Sequence, residues 1–365
     1  METLALFLCN FNILRNTIIV GYGLAGYHYA KVLEDYGKEF LIISDDKLGA
    51  SRNAGGILNP TIIKRFTLSW NSIEFYRKAL LKYKKHEKDY GNKIFHTLPI
   101  HNYFNKISDN NNWSIASNKK DLNRFFSKIT NNRNEKNIKA DYGYGIVTNV
   151  GRVEIIKMLD IFKSQLDSNS LLSEPFDYNK LIINKDYIDY KGIKASKIIF
   201  CEGFGLKNNP WFSYLPLIGS KGEFIHIRTK NLSPEAIIKG GLFIVPIEKE
   251  IFWVGATFDR KDKTDNITKS AKEWILKKLH ERLNCSFEVV HQGTGMRPTV
   301  IDRRPLLGVH PLEKRLFVFN GLGARGLLMG PLLAELLYQF IEENKELPTS
   351  VTIDRFQSYF SNSFK

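Results

Sequence analysis

An α/β fold is predicted for this chain: a sheet-and-helix domain with a parallel core, interrupted by an inserted lobe built on an antiparallel sheet. Three observations predict it. Thr17-Ile-Ile-Val20 reads as a buried strand running straight into the glycine turn Gly21-Tyr-Gly23-Leu-Ala-Gly26. Two further glycine-rich segments, GMRPTVIDRRPLLG (295–308) and FNGLGARGLLMGPLLAELL (319–337), lie near the opposite end of the chain. Between them, from Glu223 onward, short aromatic-rich strands alternate apolar and polar residues.

The elements follow in order. Residues 27–36 read as a helix after the turn and Phe40-Leu-Ile-Ile43 as a second strand, which completes a βαβ unit. Residues 71–87 are helical by period. The Asn-rich stretch 109–120 is full of breakers and reads as a loop. Residues 151–166 read as another helix, and Lys197-Ile-Ile-Phe200 as a short buried strand that exits into Cys201-Glu-Gly203-Phe-Gly205. Strands are expected at 224–228, 241–246 and 251–257, then a last buried strand at 316–319 and a closing apolar helix at 327–342.

Composition narrows the possibilities. With 365 residues, 43% of them apolar and 25 Phe, the chain can bury a large core in two lobes. No stretch approaches the roughly 18 uninterrupted apolar residues of a membrane span. The apolar start, residues 1–9, lacks a basic leader and a cleavage site, so no signal peptide is expected. Cys9, Cys201 and Cys285 are scattered, without metal spacing, which suits a reducing cytoplasm. The net charge of +15 (53 basic, 38 acidic) raises the question of nucleic acid. The lysines are spread through Asn- and Ile-rich segments, dense only at 78–88 and 119–139. Solvated faces are the favoured reading, and nucleic acid is not.

The glycine turn carries the first chemistry. Gly21, Gly23 and Gly26 permit a tight turn, close approach of backbone to a pyrophosphate, and packing of helix on strand. Leu24 and Ala25 complete the turn at the cofactor, and the N-terminus of the helix that follows faces the anion. An acid about 20 residues on takes the adenosine ribose hydroxyls in such units, and Asp45 follows Gly26 by 19.

Together the N- and C-terminal motifs resemble the FAD-dependent amino-acid oxidase family, the group of glycine, sarcosine and D-amino-acid oxidases. That resemblance implies a Rossmann-like FAD-binding domain made of residues 1–80, 141–214 and 292–365. A substrate-binding domain would comprise 81–140 and 215–291. Laid over the family's turn, the ribose acid falls on Ser44 rather than Asp45, a one-residue shift. Ala50, Ser51, Gly55, Gly56 and Ile57 match the second FAD segment, small residues against which the isoalloxazine lies. Gly203 matches a second glycine crossing near the pyrophosphate, with a plain strand exit as the alternative.

The family places an arginine from a Gly-x-Arg-Pro context on the substrate carboxylate, and that match falls on Arg297. A bidentate, always-charged clamp would fix the α-carbon over the flavin. Leu322, Gly323, Ala324, Arg325, Gly326, Leu327 and Leu328 match the segment facing the flavin N1/O2 edge. Arg325 would add a positive charge there or grip the pyrophosphate; the sequence leaves both open. Phe243 stands where some glycine-oxidase relatives carry a substrate-side tyrosine, which implies a more apolar pocket. No catalytic base is assigned among the eight His.

The implied activity is oxidation of the CH–NH bond of an amino acid or N-substituted amino acid. Hydride would pass to the N5 atom of a non-covalent FAD, and oxygen would serve as the acceptor. GLGARGL and KGEF (221–224) are also similar to the flavin domain of the bifunctional enzyme that completes 5-methylaminomethyl-2-thiouridine in tRNA. A tRNA-modifying flavoenzyme acting on carboxymethylaminomethyl-uridine and a non-catalytic flavoprotein subunit are therefore alternatives.

Overall fold

The computed structural model describes residues 15–45, 49–131 and 136–362. Cys9 and the apolar start of the chain lie outside the described residues. Two compact units result: Met1–Ser51, Leu159–Gly219 and Arg297–Lys365 in one, Arg52–Met158 and Ser220–Met296 in the other.

The first unit is built on a mixed sheet ordered Leu171–Leu172, Phe40–Ile43, Arg15–Val20, Ile193–Phe200, Ile188–Tyr190, Leu181–Ile183. Leu316–Asn320 joins the C-terminal half of Ile193–Phe200, and Leu306–Val309 flanks it. The four neighbouring pairs at its centre are parallel. Parallel strands are buried on both faces, so they read as apolar runs rather than alternations. Ile18, Ile19, Ile42, Ile43, Ile198, Ile199 and Phe200 are accordingly all 0% exposed.

Helices Leu24–Asp35 and Gly326–Glu342 pack on each other in this unit through glycine. A Cβ on Gly326 would lie 2.8 Å from Leu24 Cδ1, and one on Gly330 would lie 2.3 Å from His28 Cδ2. Both pairs are four residues apart in the same sense. The helices therefore run parallel, and their N-termini lie side by side.

The second unit holds an eight-stranded sheet ordered Glu288–Arg297, Ser220–Arg228, Ile251–Gly255, Leu242–Glu248, Ile237–Gly240, Ile100–Tyr103, Tyr144–Val147, Phe126–Asn131. Alternation sorts its side chains to two cores. Ile225, Ile244, Phe252 and Val254 meet Ile275 and Leu279 of helix Lys269–Arg282. Ile237, Val245 and Val147 meet Trp113 and Phe126 on the other face. Among the described residues no helix is long and apolar enough to cross a membrane.

The structure departs from the sequence expectations in three places. Residues 109–120 are not a loop: Ile107–Ser117 is helical. Trp113 is 0% exposed there, stacks on Phe126 with ring centroids 4.5 Å apart, and donates its indole N–H to the Ser127 carbonyl at 2.9 Å. Burial of one tryptophan outweighs a weak local propensity. Residues 151–166 are not one helix either. Gly151–Val153 is a strand between Ile57–Leu58 and Phe95–Thr97, and the helix starts at Ile155. That pairing, with Tyr144–Val147 on Ile100–Tyr103, draws residues 52–80 and 141–158 into the second unit rather than the first. Conversely Leu215 and Leu217 pack in the first unit's core.

Candidate functional site

The three motif glycines are required for three different reasons. Gly21 sits at φ +98°, and a Cβ there would be 2.7 Å from the Cys201 carbonyl oxygen. A Cβ on Gly26 would be 2.0 Å from the Gly21 carbonyl oxygen, so only glycine lets the helix close onto the strand. At Gly23 the neighbour is a side chain, Ser51 Oγ at 3.0 Å. The same hydroxyl accepts the Leu24 amide hydrogen at 3.0 Å. Gly23 contributes no capping side chain of its own, and Ser51 takes that place from a distant segment.

The first helical turns leave donors over, as every helix must. Among the described residues the amides of Gly23, Ala25 and Gly26 meet no acceptor within the protein. Beside them stands the second helix, with Arg325 in its N-cap position. Arg325 Nη1 is buried and has no hydrogen-bond partner among the described residues, and burial pushes the guanidinium pKa down. Two parallel helix N-termini with unanswered amides and an unanswered guanidinium are groups suited to a phosphate or another delocalised anion. The residues present thus fit an anionic group such as the pyrophosphate of FAD.

Other residues expected at the cofactor divide between the units. Ser44, Asp45, Ala50, Ser51, Gly203 and the Leu322–Leu328 segment lie in the first unit with the glycine turn; Gly55, Gly56 and Ile57 lie in the second. Ser44 Oγ accepts the Tyr22 amide hydrogen at 3.2 Å and donates to the Asp45 carbonyl at 3.0 Å, so the serine is already engaged by the turn. Gly203, at φ +56°, has nothing within 4 Å of where a Cβ would stand, and its carbonyl accepts from Asn320 Nδ2 at 2.9 Å. Gly323, at φ +54°, faces similar open space, and its amide donates to the Pro298 carbonyl at 3.1 Å. The two C-terminal motifs are thereby joined.

Gly55 and Gly56 have a packing explanation besides the one expected. A Cβ on Gly55 would lie 2.8 Å from the Trp253 ring, and one on Gly56, at φ +78°, 2.3 Å from the Val153 carbonyl oxygen. The Trp253 indole also donates to the Asn53 carbonyl at 3.2 Å.

Arg297 is the last residue of strand Glu288–Arg297, half-buried, and burial pushes its pKa down. Its carbonyl accepts the Thr299 amide at 2.8 Å, which starts the turn toward Pro298 and Gly323. Phe243 lies in the second unit, in an in-register row of residues Phe224, Gly255, Phe243, Lys239, Asn102 and Gly145 across six strands.

Sequence reading missed three features. Lys239 Nζ stands 4.9 Å over the Phe243 ring. Glu202, beside the Gly21 turn, accepts from Tyr178 Oη and from Asn209 Nδ2 at 2.8 Å, and burial pushes its pKa up to about 7. KGEF proves structural. Lys221, 1% exposed, binds Asp262 at 2.6 Å, while Glu223 accepts from the Thr268 amide at 2.7 Å and from its hydroxyl at 2.8 Å. Thr268 caps helix Lys269–Arg282. Lys239 and Glu202 had no sequence signal beyond a lone charged residue, and KGEF stood out only through its resemblance to the flavin domain of the tRNA-modifying enzyme.

Comparison with known proteins adds to this geometry. A family model described as FAD dependent oxidoreductase, DAO, matches residues 184–340. Glycine oxidase of Geobacillus kaustophilus (strain HTA426) is 28% identical over 137 residues, 34% of this chain and 34% of that protein. The tRNA 5-methylaminomethyl-2-thiouridine biosynthesis bifunctional protein MnmC of Saccharophagus degradans (strain 2-40 / ATCC 43961 / DSM 17024) is 21% identical over 379 residues, 88% of this chain and 52% of that protein. The chain thus spans about a third to a half of the length of these curated relatives. The crystal structure of iminodiacetate oxidase (IdaA) from Chelativorans sp. BNC1 superposes with a TM-score of 0.72 at 18% identity, over 92% of this chain and 99% of that one. At that identity the likeness establishes the fold. The stretch similar to the FAD dependent oxidoreductase family, DAO, residues 184–340, includes Gly203, Arg297 and Arg325.

Proposed function

We propose that this chain is an FAD-dependent oxidoreductase that oxidises the CH–NH bond of an amino acid or N-substituted amino acid. The observation that carries the reading is the buried, unanswered Arg325 Nη1 beside two parallel helix N-termini. Such a site is expensive to keep unless an anion occupies it. Bound FAD supplies the hydride acceptor at N5 and, through oxygen, its own reoxidation.

The chain's own residues provide binding and orientation. Gly23, Ala25 and Gly26 amides and Arg325 hold the cofactor's anionic portions. Arg297 holds the substrate carboxylate and so fixes which C–H faces the acceptor; orientation alone can supply much of the barrier reduction. A neutral amine on the reacting carbon makes a protein base unnecessary, and the imine product hydrolyses in water. The free thiols of Cys201 and Cys285 support a reducing, cytoplasmic setting.

The purified protein should be yellow and release FAD on mild denaturation. Flavin that stays with the precipitated chain contradicts non-covalent binding, and NAD in place of flavin overturns the cofactor. An anaerobic screen of amino acids and N-substituted amino acids should then bleach the flavin. A chain that stays yellow with every amine is a non-catalytic flavoprotein.

A second reading is oxidation of a carboxymethylaminomethyl group on tRNA. The alignment to a tRNA-modifying bifunctional protein along 88% of this chain and the net charge of +15 favour it. Salt-sensitive binding of tRNA would support it; no binding at low salt would remove it.

A further inference from the structure

Three glycine loops leave the first unit's sheet side by side. Gly21 follows strand Arg15–Val20, Gly203 follows Ile193–Phe200 and Gly321 follows Leu316–Asn320, and these strands are parallel neighbours in that order. Ligands of such sheets bind beyond the carboxyl ends of the strands. All three glycines have positive φ, at +98°, +56° and +74°. The first two loops meet through backbone: the Cys201 amide donates to the Val20 carbonyl at 2.7 Å, and a Cβ on Gly21 would be 2.7 Å from the Cys201 carbonyl oxygen. The second and third are joined by a side chain. Asn320, 2% exposed, donates from Nδ2 to the Gly203 carbonyl at 2.9 Å and accepts the Gly321 amide hydrogen on Oδ1 at 2.7 Å. Both ends of its amide are used.

That bridge starts the loop that carries Arg325. From Asn320 the chain runs through Gly323, whose amide donates to the Pro298 carbonyl at 3.1 Å, to Arg325, whose amide donates to the Leu322 carbonyl at 3.0 Å. A Cβ on Gly203 or on Gly323 would meet nothing within 4 Å. Hydrogen bonds, rather than packing around these two glycines, therefore hold the loops in place. An apolar side chain at 320 would leave the Gly203 carbonyl and the Gly321 amide unanswered, and both loops would relax toward water. We infer that Asn320 is a positioning residue: its amide sets the spacing between the Gly203 loop and the loop carrying Arg325, and with it the affinity for the anionic portion of the cofactor. This role rests on the FAD reading above, and Asn320 acts through Gly203 and Arg325.

The full chain, stripped of flavin, is titrated with FAD and with ADP, which carries a pyrophosphate but no isoalloxazine. Asn320→Leu, nearly isosteric, and Asn320→Ser, too short to span both partners, are compared with wild type, and flavin-free melts are recorded alongside. Both variants should bind FAD and ADP about tenfold or more weakly, as expected when a preorganised site is loosened. A merely structural asparagine would lower the melting point and leave both affinities per folded protein unchanged, and that result overturns the positioning role. A variant that loses affinity for FAD but not for ADP overturns it as well, because the effect would then lie away from the anion. Should Asn320→Leu fail to fold, Asn320→Ser decides by the same two affinities; failure of both to fold makes Asn320 structural and removes the proposal. FAD bound equally by all three proteins leaves the flavin reading and removes the positioning role. An Asn320-dependent affinity for ADP without binding of FAD keeps the positioning role and removes the flavin reading. Wild type that binds neither removes both.

Discussion

The Ser51 hydroxyl accepts the Leu24 amide hydrogen at 3.0 Å across 27 residues of sequence, and the same oxygen lies 3.0 Å from where a Gly23 Cβ would stand. The middle glycine of the turn therefore leaves the room that the Ser51 hydroxyl needs to cap Leu24. The cap and the glycine form one device.

Gly23→Val should consequently lose flavin retention, because its side chain displaces Ser51 and opens the Leu24 cap. Ser51→Ala should keep the turn and cost about 1 kcal/mol, the usual value of a lost N-cap. Denaturant melts and the flavin absorbance of the purified proteins check both. Full flavin occupancy in Gly23→Val would refute the coupling.

Gly330 tests the parallel helix pair. A Cβ there would lie 2.3 Å from His28 Cδ2, so Gly330→Ala should destabilise the protein by about 1–3 kcal/mol, an ordinary overpacking cost. His28→Ala in the same chain should recover part of the loss, since residues in contact couple. A Gly330→Ala variant that unfolds at the wild-type denaturant concentration would mean the two helix ends do not meet as described.

The two half-buried arginines should fail in opposite ways. Arg297→Ala should retain FAD, yet substrate-dependent flavin reduction should weaken by about 2–5 kcal/mol, the cost of losing one partner of a buried charge pair. Arg297→Lys should rescue only part, because a point charge cannot reproduce a two-pronged grip. Arg325→Met should lose flavin while the flavin-free protein becomes no less stable, since an unsatisfied buried donor has been removed. Anaerobic reduction rates for the first and flavin content with melts for the second decide. Loss of FAD in Arg297→Ala would make that residue part of the cofactor site.

Glu202 predicts a pH dependence. Its folded pKa is raised from 4.5 to about 7 by burial, against the lowering effect of Tyr178 and Asn209, so the fold favours the protonated carboxyl. Its contribution to stability is full below pH 4.5 and is lost as pH rises through about 7. Glu202→Gln, which mimics the protonated form, should match wild type near pH 4.5 and exceed it at pH 8 by about 1–3 kcal/mol. Parallel melting curves across that pH range would refute the assignment.

The sequence by itself determined the elements whose signals are local. The strand Arg15–Val20, the glycine turn, the strand Phe40–Ile43 and the closing helix follow from apolar runs and glycine punctuation, and their boundaries shift by only a few residues. Arg297 and Arg325 stood out because the motifs around them resemble those of the oxidase family. Tertiary structure alone decided what depends on partners distant in sequence. Trp113 turned an Asn-rich stretch into a helix by burying its indole on Phe126. Gly151 became a strand residue because a Cβ there would lie 2.2 Å from the His96 carbonyl oxygen, between two strands that needed a third. Ser51 acquired its capping role, Lys239 its place over Phe243 and KGEF its loop-clamping function in the same way. A hydrogen bond or a buried charge gains its energy from the partner that folding delivers, and no single residue's identity announces which partner that is.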